Sequence, residues 1–233
     1  MAVSGKCYLS LHTNYASANR GACIQNCRHT YIVTDKEDGV EFEVDNEYIM
    51  SAKDLCTIDF IDKILDAGVS VLKIEGRGRS ADYVYTTTRC YSEDINAYMD
   101  GSFSPEKVAD WKEQLATVFN RGFWDGYYLG RTMGEWSNEA GSKSTKRKIY
   151  LAKGLKYFEQ VKVGEFVCES HSLSVGDEIM ITGPTTGYLQ LVINELRVDG
   201  IATEKVQKGD VFSLAIESKI RPSDKLYKLV PNT

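Results

Sequence analysis

Ser51-Ala-Lys-Asp-Leu-Cys-Thr-Ile-Asp-Phe-Ile-Asp-Lys-Ile-Leu-Asp-Ala-Gly-Val-Ser-Val-Leu-Lys-Ile-Glu-Gly76 decides the fold class, because its apolar period changes partway along. Ser51 or Asp54 can cap a helix, Ile58, Ile61, Ile64 and Leu65 fall on one helical face, and Gly68 follows as a terminator. The β-branched run 69–74 then reads as a buried strand of the kind found in parallel sheets. A helix feeding such a strand is α/β architecture. In those sheets and barrels functional groups gather at the carboxyl ends of strands, which singles out Lys73, Glu75 and Arg77. An exposed charged loop is the competing reading of the same three residues.

Downstream, the spacing predicts a helix over 80–98, with Ser80 as cap, and another over 105–120, where Ser104 is the N-cap and Pro105 the first helical residue. Val108, Trp111, Leu115, Val118 and Phe119 form the buried face of the second. Phe123, Trp124, Tyr127 and Tyr128 could stack bases, but aromatic residues more often pack as core or domain interface. Residues 131–147 lose apolar periodicity and gain Gly, Ser and Lys, as a linker does; Lys143, Lys146, Arg147 and Lys148 either grip phosphates there or are solvated. A boundary follows near 146, separating 1–146 from 147–233. Beyond it, strands are expected at 148–150, 155–163, 164–168, 178–182, 189–196, 200–206 and 211–216. Turn pairs such as Gly176-Asp177 and Asp199-Gly200 punctuate them at the spacing of a small all-β barrel. No catalytic constellation is evident in that module, so it reads as a binding or docking part.

The 233 residues are 42% hydrophobic and 26% charged, enough for one large domain or two smaller ones with cores of their own. No apolar run of about 18 residues occurs and Met1 leads into Ala-Val-Ser-Gly-Lys, so neither a membrane span nor a secretory leader is visible, and the expected address is cytoplasmic. A formal net charge of -5 gives no global pull on nucleic acid, so RNA binding would need a local basic patch. Six cysteines in a reducing compartment are buried thiols, metal ligands or redox groups rather than disulfides. Cys7, Cys23 and Cys27 lie in a polar stretch without apolar period, and Cys56 precedes the first clear helix. One close pair is poor support for a zinc ribbon, whereas an iron–sulfur cluster tolerates irregular spacing because its thiolates come from separate loops. Cys90 and Cys168 fall in a predicted helix and a predicted strand and read as packed thiols. His12, His29 and His171 are scattered, and zinc-protease, Walker and nucleophile-elbow motifs are absent.

Taken in order, Gly5-Lys-Cys7-Tyr-Leu-Ser10, Ala18-Asn-Arg-Gly-Ala-Cys23-Ile-Gln-Asn-Cys-Arg28, Asp54-Leu-Cys56, Leu72-Lys-Ile-Glu-Gly-Arg77 and Asn120-Arg-Gly-Phe123 resemble the U32 family of collagenase-like peptidases. The resemblance implies that 1–146 is the later part of a TIM-barrel-like α/β domain, and that the β module is similar to domain two of translation elongation factors. Some members of the family are described as peptidases. Others support hydroxylation of tRNA uridine, rRNA cytidine or the ubiquinone ring, with prephenate implicated as cosubstrate for the tRNA reaction. Carried over by position, Cys7, Cys23 and Cys56 match cysteines of an iron–sulfur cluster of the four-iron, four-sulfur kind, with Cys27 an alternative for one of them. Lys73, Arg77, Arg20 and Arg28 would hold an anionic cosubstrate or phosphate, and Glu75 would orient it or transfer protons; an internal ion-pair network is the other reading of these charges. The family pattern has a further cysteine that would fall immediately before Met1, together with an upstream half-barrel. The resemblance thus implies a C-terminal portion, one cluster ligand short, whose partner would be an N-terminal half or subunit. Three functions follow: iron–sulfur-dependent support of tRNA or rRNA base hydroxylation, collagenase-like proteolysis, or non-catalytic docking.

Overall fold

The computed structural model describes residues 2–3, 6–42, 48, 50–76, 78–130, 136–138 and 141–232. The chain divides into two compact units, Met1–Arg79 with Thr87–Ser144, and Ser80–Thr86 with Thr145–Thr233. No helix among the described residues is long and apolar enough to cross a membrane.

The first unit is mixed α/β. Strands β1 (Ala2–Val3) and β2 (Lys6–Cys7) pair antiparallel, as do β3 (Val33–Thr34) and β4 (Glu41–Phe42), while β5 (Asp54–Leu55) runs parallel to β6 (Phe123–Trp124). Helices α1 (Tyr8–Asn14), α2 (Ile61–Asp66) and α4 (Pro105–Ala116) complete the set, with α3 (Ala81–Met99) from Thr87 onward. The α4 start is the one its sequence dictates: Pro105 opens the helix and the Lys107 N–H donates to Ser104 Oγ at 3.4 Å. Its apolar face packs Val108, Trp111 and Leu115 against Cys56, Ile58, Cys90 and Ala97. It ends at Ala116 rather than at 120.

Two expectations within 51–76 fail. The helix is a 3-10 turn, Ile58–Phe60, running into the short α2, and neither Ser51 nor Asp54 caps it. Both side chains are engaged elsewhere, Ser51 by Arg28 and Asp54 by Arg79 and Arg121. Gly68 does end the helix, at φ +84, a left-handed conformation that a side chain would strain. The run 69–74 joins no ladder among the described residues; Val71 is 82% exposed, and exposure alternates along 71–76. A β-branched sequence records fitness for a pleated surface, and pairing needs a neighbouring strand that the described residues do not supply.

The second unit is an antiparallel sheet. Its elements are β7 (Lys146–Phe158), β8 (Val163–Cys168), β9 (Ser172–Ser174), β10 (Glu178–Gly183), β11 (Gly187–Val192), β12 (Leu196–Val198), β13 (Ile201–Thr203), β14 (Lys205–Gln207), β15 (Val211–Ala215) and β16 (Lys225–Pro231). Eight of them pair in the order β11-β10-β16-β7-β8-β15-β12-β13, and β14-β9 form a separate ribbon. Leu173 of β9 and Val206 of β14 join Leu151, Phe166, Ile179, Ile181, Leu196, Phe212 and Leu226 in one core, where the Phe166 and Phe212 rings stack at 5.6 Å. Among the described residues β11 and β13 are the two ends of that order. A 13-residue β7 replaces the two strands expected over 148–163, because the turn falls at 159–162. Strand β16, unforeseen in the sequence, lies inside the sheet between β10 and β7.

Candidate functional site

The cysteine-rich segment folds by local contacts. Cys7 caps α1, its Sγ accepting the Ser10 N–H at 3.5 Å. The Ser10 contacts hold the Cys7 thiol below its ordinary pKa, so more of it is thiolate at neutral pH. Ser10 is fully buried, and its Oγ lies 3.9 Å from Cys23 Sγ, so one serine touches both sulfurs. Cys27 sits in the 3-10 turn Asn26–Arg28. From that turn Arg28 Nη1 donates to Ser51 Oγ and to the Ala52 carbonyl, both at 2.9 Å, and the Tyr31 hydroxyl donates to the Asn26 carbonyl at 2.6 Å. The Arg28 bonds lay the cysteine loop on the segment that continues through β5 to Cys56. Cys56 itself is buried, which pushes its thiol pKa up, and its Sγ accepts the Tyr91 hydroxyl at 3.8 Å.

Four free thiols from three stretches of chain, around Cys7, Cys23–Cys27 and Cys56, are the donor chemistry of an iron–sulfur site. Their placement is not yet that of a ligand set: among the described residues no three His, Cys, Asp or Glu side chains gather into a group that could hold a metal ion. Lys73 and Glu75 are exposed, as is Val71, and Arg77 lies outside the described residues. Arg20 is exposed at the end of the 3-10 turn Ala18–Arg20.

Sequence reading missed the charge cluster built on Asp54. Its Oδ1 accepts Arg79 Nη2 at 3.2 Å and Arg121 Nη1 at 3.4 Å, and its Oδ2 accepts the Arg121 backbone N–H at 2.9 Å. The Arg79 and Arg121 guanidiniums lie 4.3 and 4.9 Å from the centre of the Phe119 ring, within cation–π range. The parallel register explains the pairing: Asp54 stands opposite Phe123, which brings the preceding turn with Arg121 to its carboxylate. Asn120 shapes that turn, accepting the Gly122 N–H at 3.1 Å and donating to the Val118 carbonyl at 2.9 Å. Burial, then the neighbouring Arg28, lowers the proton affinity of Arg121, with Asp54 opposing. Asp54 and Arg121 both fall in the quoted motifs, but 67 residues separate them and no local period links them.

The chain belongs to Peptidase family U32, whose family model matches residues 1–138. It is 57% identical over 228 residues to a protein named collagenase from Porphyromonas gingivalis strain W83, covering 98% of this chain and 55% of that protein. It is 30% identical over 239 residues to tRNA hydroxylation protein P1 of Bacillus subtilis, again covering 98% of this chain and 55% of the relative. The crystal structure of the C-terminal domain of a Geobacillus thermoleovorans U32 peptidase aligns at a TM-score of 0.33 and 15% identity, over 34% of this chain and 90% of that domain. The chain spans about half the length of the curated relatives it matches.

Proposed function

We propose that the protein supports hydroxylation of an RNA base, in tRNA or rRNA. The observation that carries this reading is the run of contacts linking the thiols: Cys7 and Cys23 share Ser10, and Arg28 ties the turn holding Cys27 to the segment that leads to Cys56. Thiolates drawn from separate stretches of chain are the ligands an iron–sulfur cluster uses. A thiol peptidase instead needs its sulfur beside a general base, and here the Cys7 and Cys56 sulfurs face Ser10 and Tyr91. In this reading Cys7, Cys23 and Cys56, with Cys27 as the alternative, would hold a four-iron, four-sulfur cluster, which when bound supplies electron transfer. Lys73, Arg77, Arg20 and Arg28 would hold an anionic cosubstrate such as prephenate, or RNA phosphate, and Glu75 would position a proton. The first unit would be the later part of a TIM-barrel-like domain, and the β unit, similar to domain two of elongation factors, would help hold RNA.

The test is nucleoside mass spectrometry of RNA from a strain lacking the gene. A hydroxylated nucleoside should disappear, return with the intact gene, and stay absent with a Cys56→Ser version whose iron and sulfide content is also reduced. An unchanged nucleoside profile in the deletion strain sinks the proposal. The P. gingivalis relative named collagenase favours a second reading, collagenase-like proteolysis. Gelatin cleavage by the purified protein, lost on Glu75→Gln or Cys23→Ser, would put that reading first.

A further inference from the structure

We infer that Arg121, together with Arg28, forms a binding site for the oxyanion of a small free anion, a carboxylate or phosphate group. The site shares Arg28 with the reading above but needs neither a cluster nor RNA. The Arg121 side chain is only 10% exposed, and its Nε is buried with no hydrogen-bond partner. A buried donor left unmade is costly, more so on a charged group, so native structures rarely keep one without a use. The carboxylate that faces this guanidinium does not relieve it. Asp54 offers one oxygen to Arg121 Nη1, at 3.4 Å, and that same oxygen already accepts Arg79 at 3.2 Å.

Arg28 adds a second cation. Both arginines anchor on the same short segment, Arg28 on Ser51 and Ala52 and Arg121 on Asp54, and the Arg28 charge is among the influences that disfavour charge on Arg121. Arg28 Nη1 goes to neutral acceptors, Ser51 Oγ and the Ala52 carbonyl, leaving Nε and Nη2 without a partner among the described residues. The Arg121 guanidinium lies 4.9 Å over the Phe119 ring, and hydrogen bonds to Ser51 and Ala52 hold Arg28. Two anchored guanidinium forks with unused N–H groups and a shared surplus of charge match the planar, two-oxygen edge of a carboxylate or phosphate. An ion-pair network serving only the fold would instead satisfy Arg121 Nε from within.

Isothermal titration of the purified protein with inorganic phosphate, and separately with malonate, tests this. Saturable binding of at least one of the two is expected, and which one saturates identifies the headgroup. Arg121→Lys keeps the charge but loses the Nε donor, and Arg28→Gln removes the second cation; each should weaken binding at least tenfold. Lys153→Gln, on the other unit, should leave the isotherm unchanged. Circular dichroism establishes that each variant is folded, and if Arg121→Lys is not, Arg28→Gln decides. No saturable heat with either anion, or the same affinity in the folded Arg28→Gln variant as in the wild type, overturns the site. Neither result depends on iron content or modified nucleosides, so the site and the function proposed above fail separately.

Discussion

The Asp224 carboxylate stands where a Cβ on Gly183 would have to be. Asp224 is almost wholly buried and acts as a hub: its Oδ2 accepts Thr186 Oγ1 at 2.5 Å and the Arg221 N–H at 2.7 Å, while its carbonyl accepts the Gly154 N–H at 2.7 Å. One residue thus joins the end of β10, the turn before β16 and the middle of β7. Gly183→Ala must push this carboxylate off its donors, combining overpacking with buried donors left unmade. A loss of about 3 kcal/mol is expected from urea unfolding. Gly141→Ala, where a Cβ meets open space, should change stability by no more than about 0.5 kcal/mol. Equal midpoints for the two variants would show that the Asp224 network gives way freely.

Asp94 on α3 is fully buried, and neither of its carboxylate oxygens has a hydrogen-bond partner. Burial, then the Asp62 and Asp59 carboxylates, push its pKa up to about 7, from an ordinary 3.8. Lys112 is committed to Asp59 at 2.9 Å. Between those two values the folded chain keeps a proton that the unfolded chain has released. Stability contributed by neutral Asp94 is therefore full below the unfolded pKa, declines as pH rises toward about 7, and is lost above it. Asp94→Asn should remove that decline. The variant should match the wild type near pH 4 and exceed it near pH 8 by on the order of 2–4 kcal/mol, read from urea midpoints across the range. A slope that survives the substitution would assign the dependence to other groups.

What the sequence made legible was whatever a local signal encodes. Ser104-Pro105 marks the start of α4 because cap and first-turn chemistry lie within four residues, and Gly68 marks a helix end for the same reason. Strand β16 escaped notice because a register shift between Leu226 and Tyr227 breaks its alternation, and what places it in the sheet is pairing with β7 and β10, remote in sequence. The 69–74 run failed in the opposite direction: its composition is that of a strand, but a strand also needs a neighbour. At the candidate site, the cysteines and the Lys73–Glu75 pair stood out as residue types in motifs, whereas the Asp54 cluster depends on a two-residue parallel ladder that no spacing rule reveals.

The thiols should separate by reactivity. Ser10 lowers the Cys7 pKa, while burial raises those of Cys56, Cys90 and Cys168, that of Cys90 to about 11. Because the thiolate is the nucleophile, iodoacetamide at neutral pH should label Cys7 well before those three, as read by peptide mass spectrometry over time. Ser10→Ala removes the hydroxyl's contribution and should slow Cys7 labelling severalfold. Labelling of Cys56 as fast as Cys7 would mean that the Cys56 pocket opens on the labelling timescale.

Lys153 of β7 and Lys225 of β16 stand directly opposite each other, both exposed. Like charges in that relation repel across an antiparallel pair, with a magnitude of roughly 0.2–1 kcal/mol. Converting one to a carboxylate turns repulsion into attraction without touching the core face of either strand. Lys225→Glu should therefore raise the urea midpoint by the equivalent of about 0.5–1 kcal/mol at low ionic strength, and Lys225→Gln by about half as much. Urea is the denaturant to use, since guanidinium salts would screen the effect. At about 1 M NaCl, where the screening length falls to about 3 Å, the advantage of Glu over Gln should largely vanish. A gain that persists in high salt would instead point to strand propensity or hydrogen bonding at position 225, with the two lysines already splayed apart in solution.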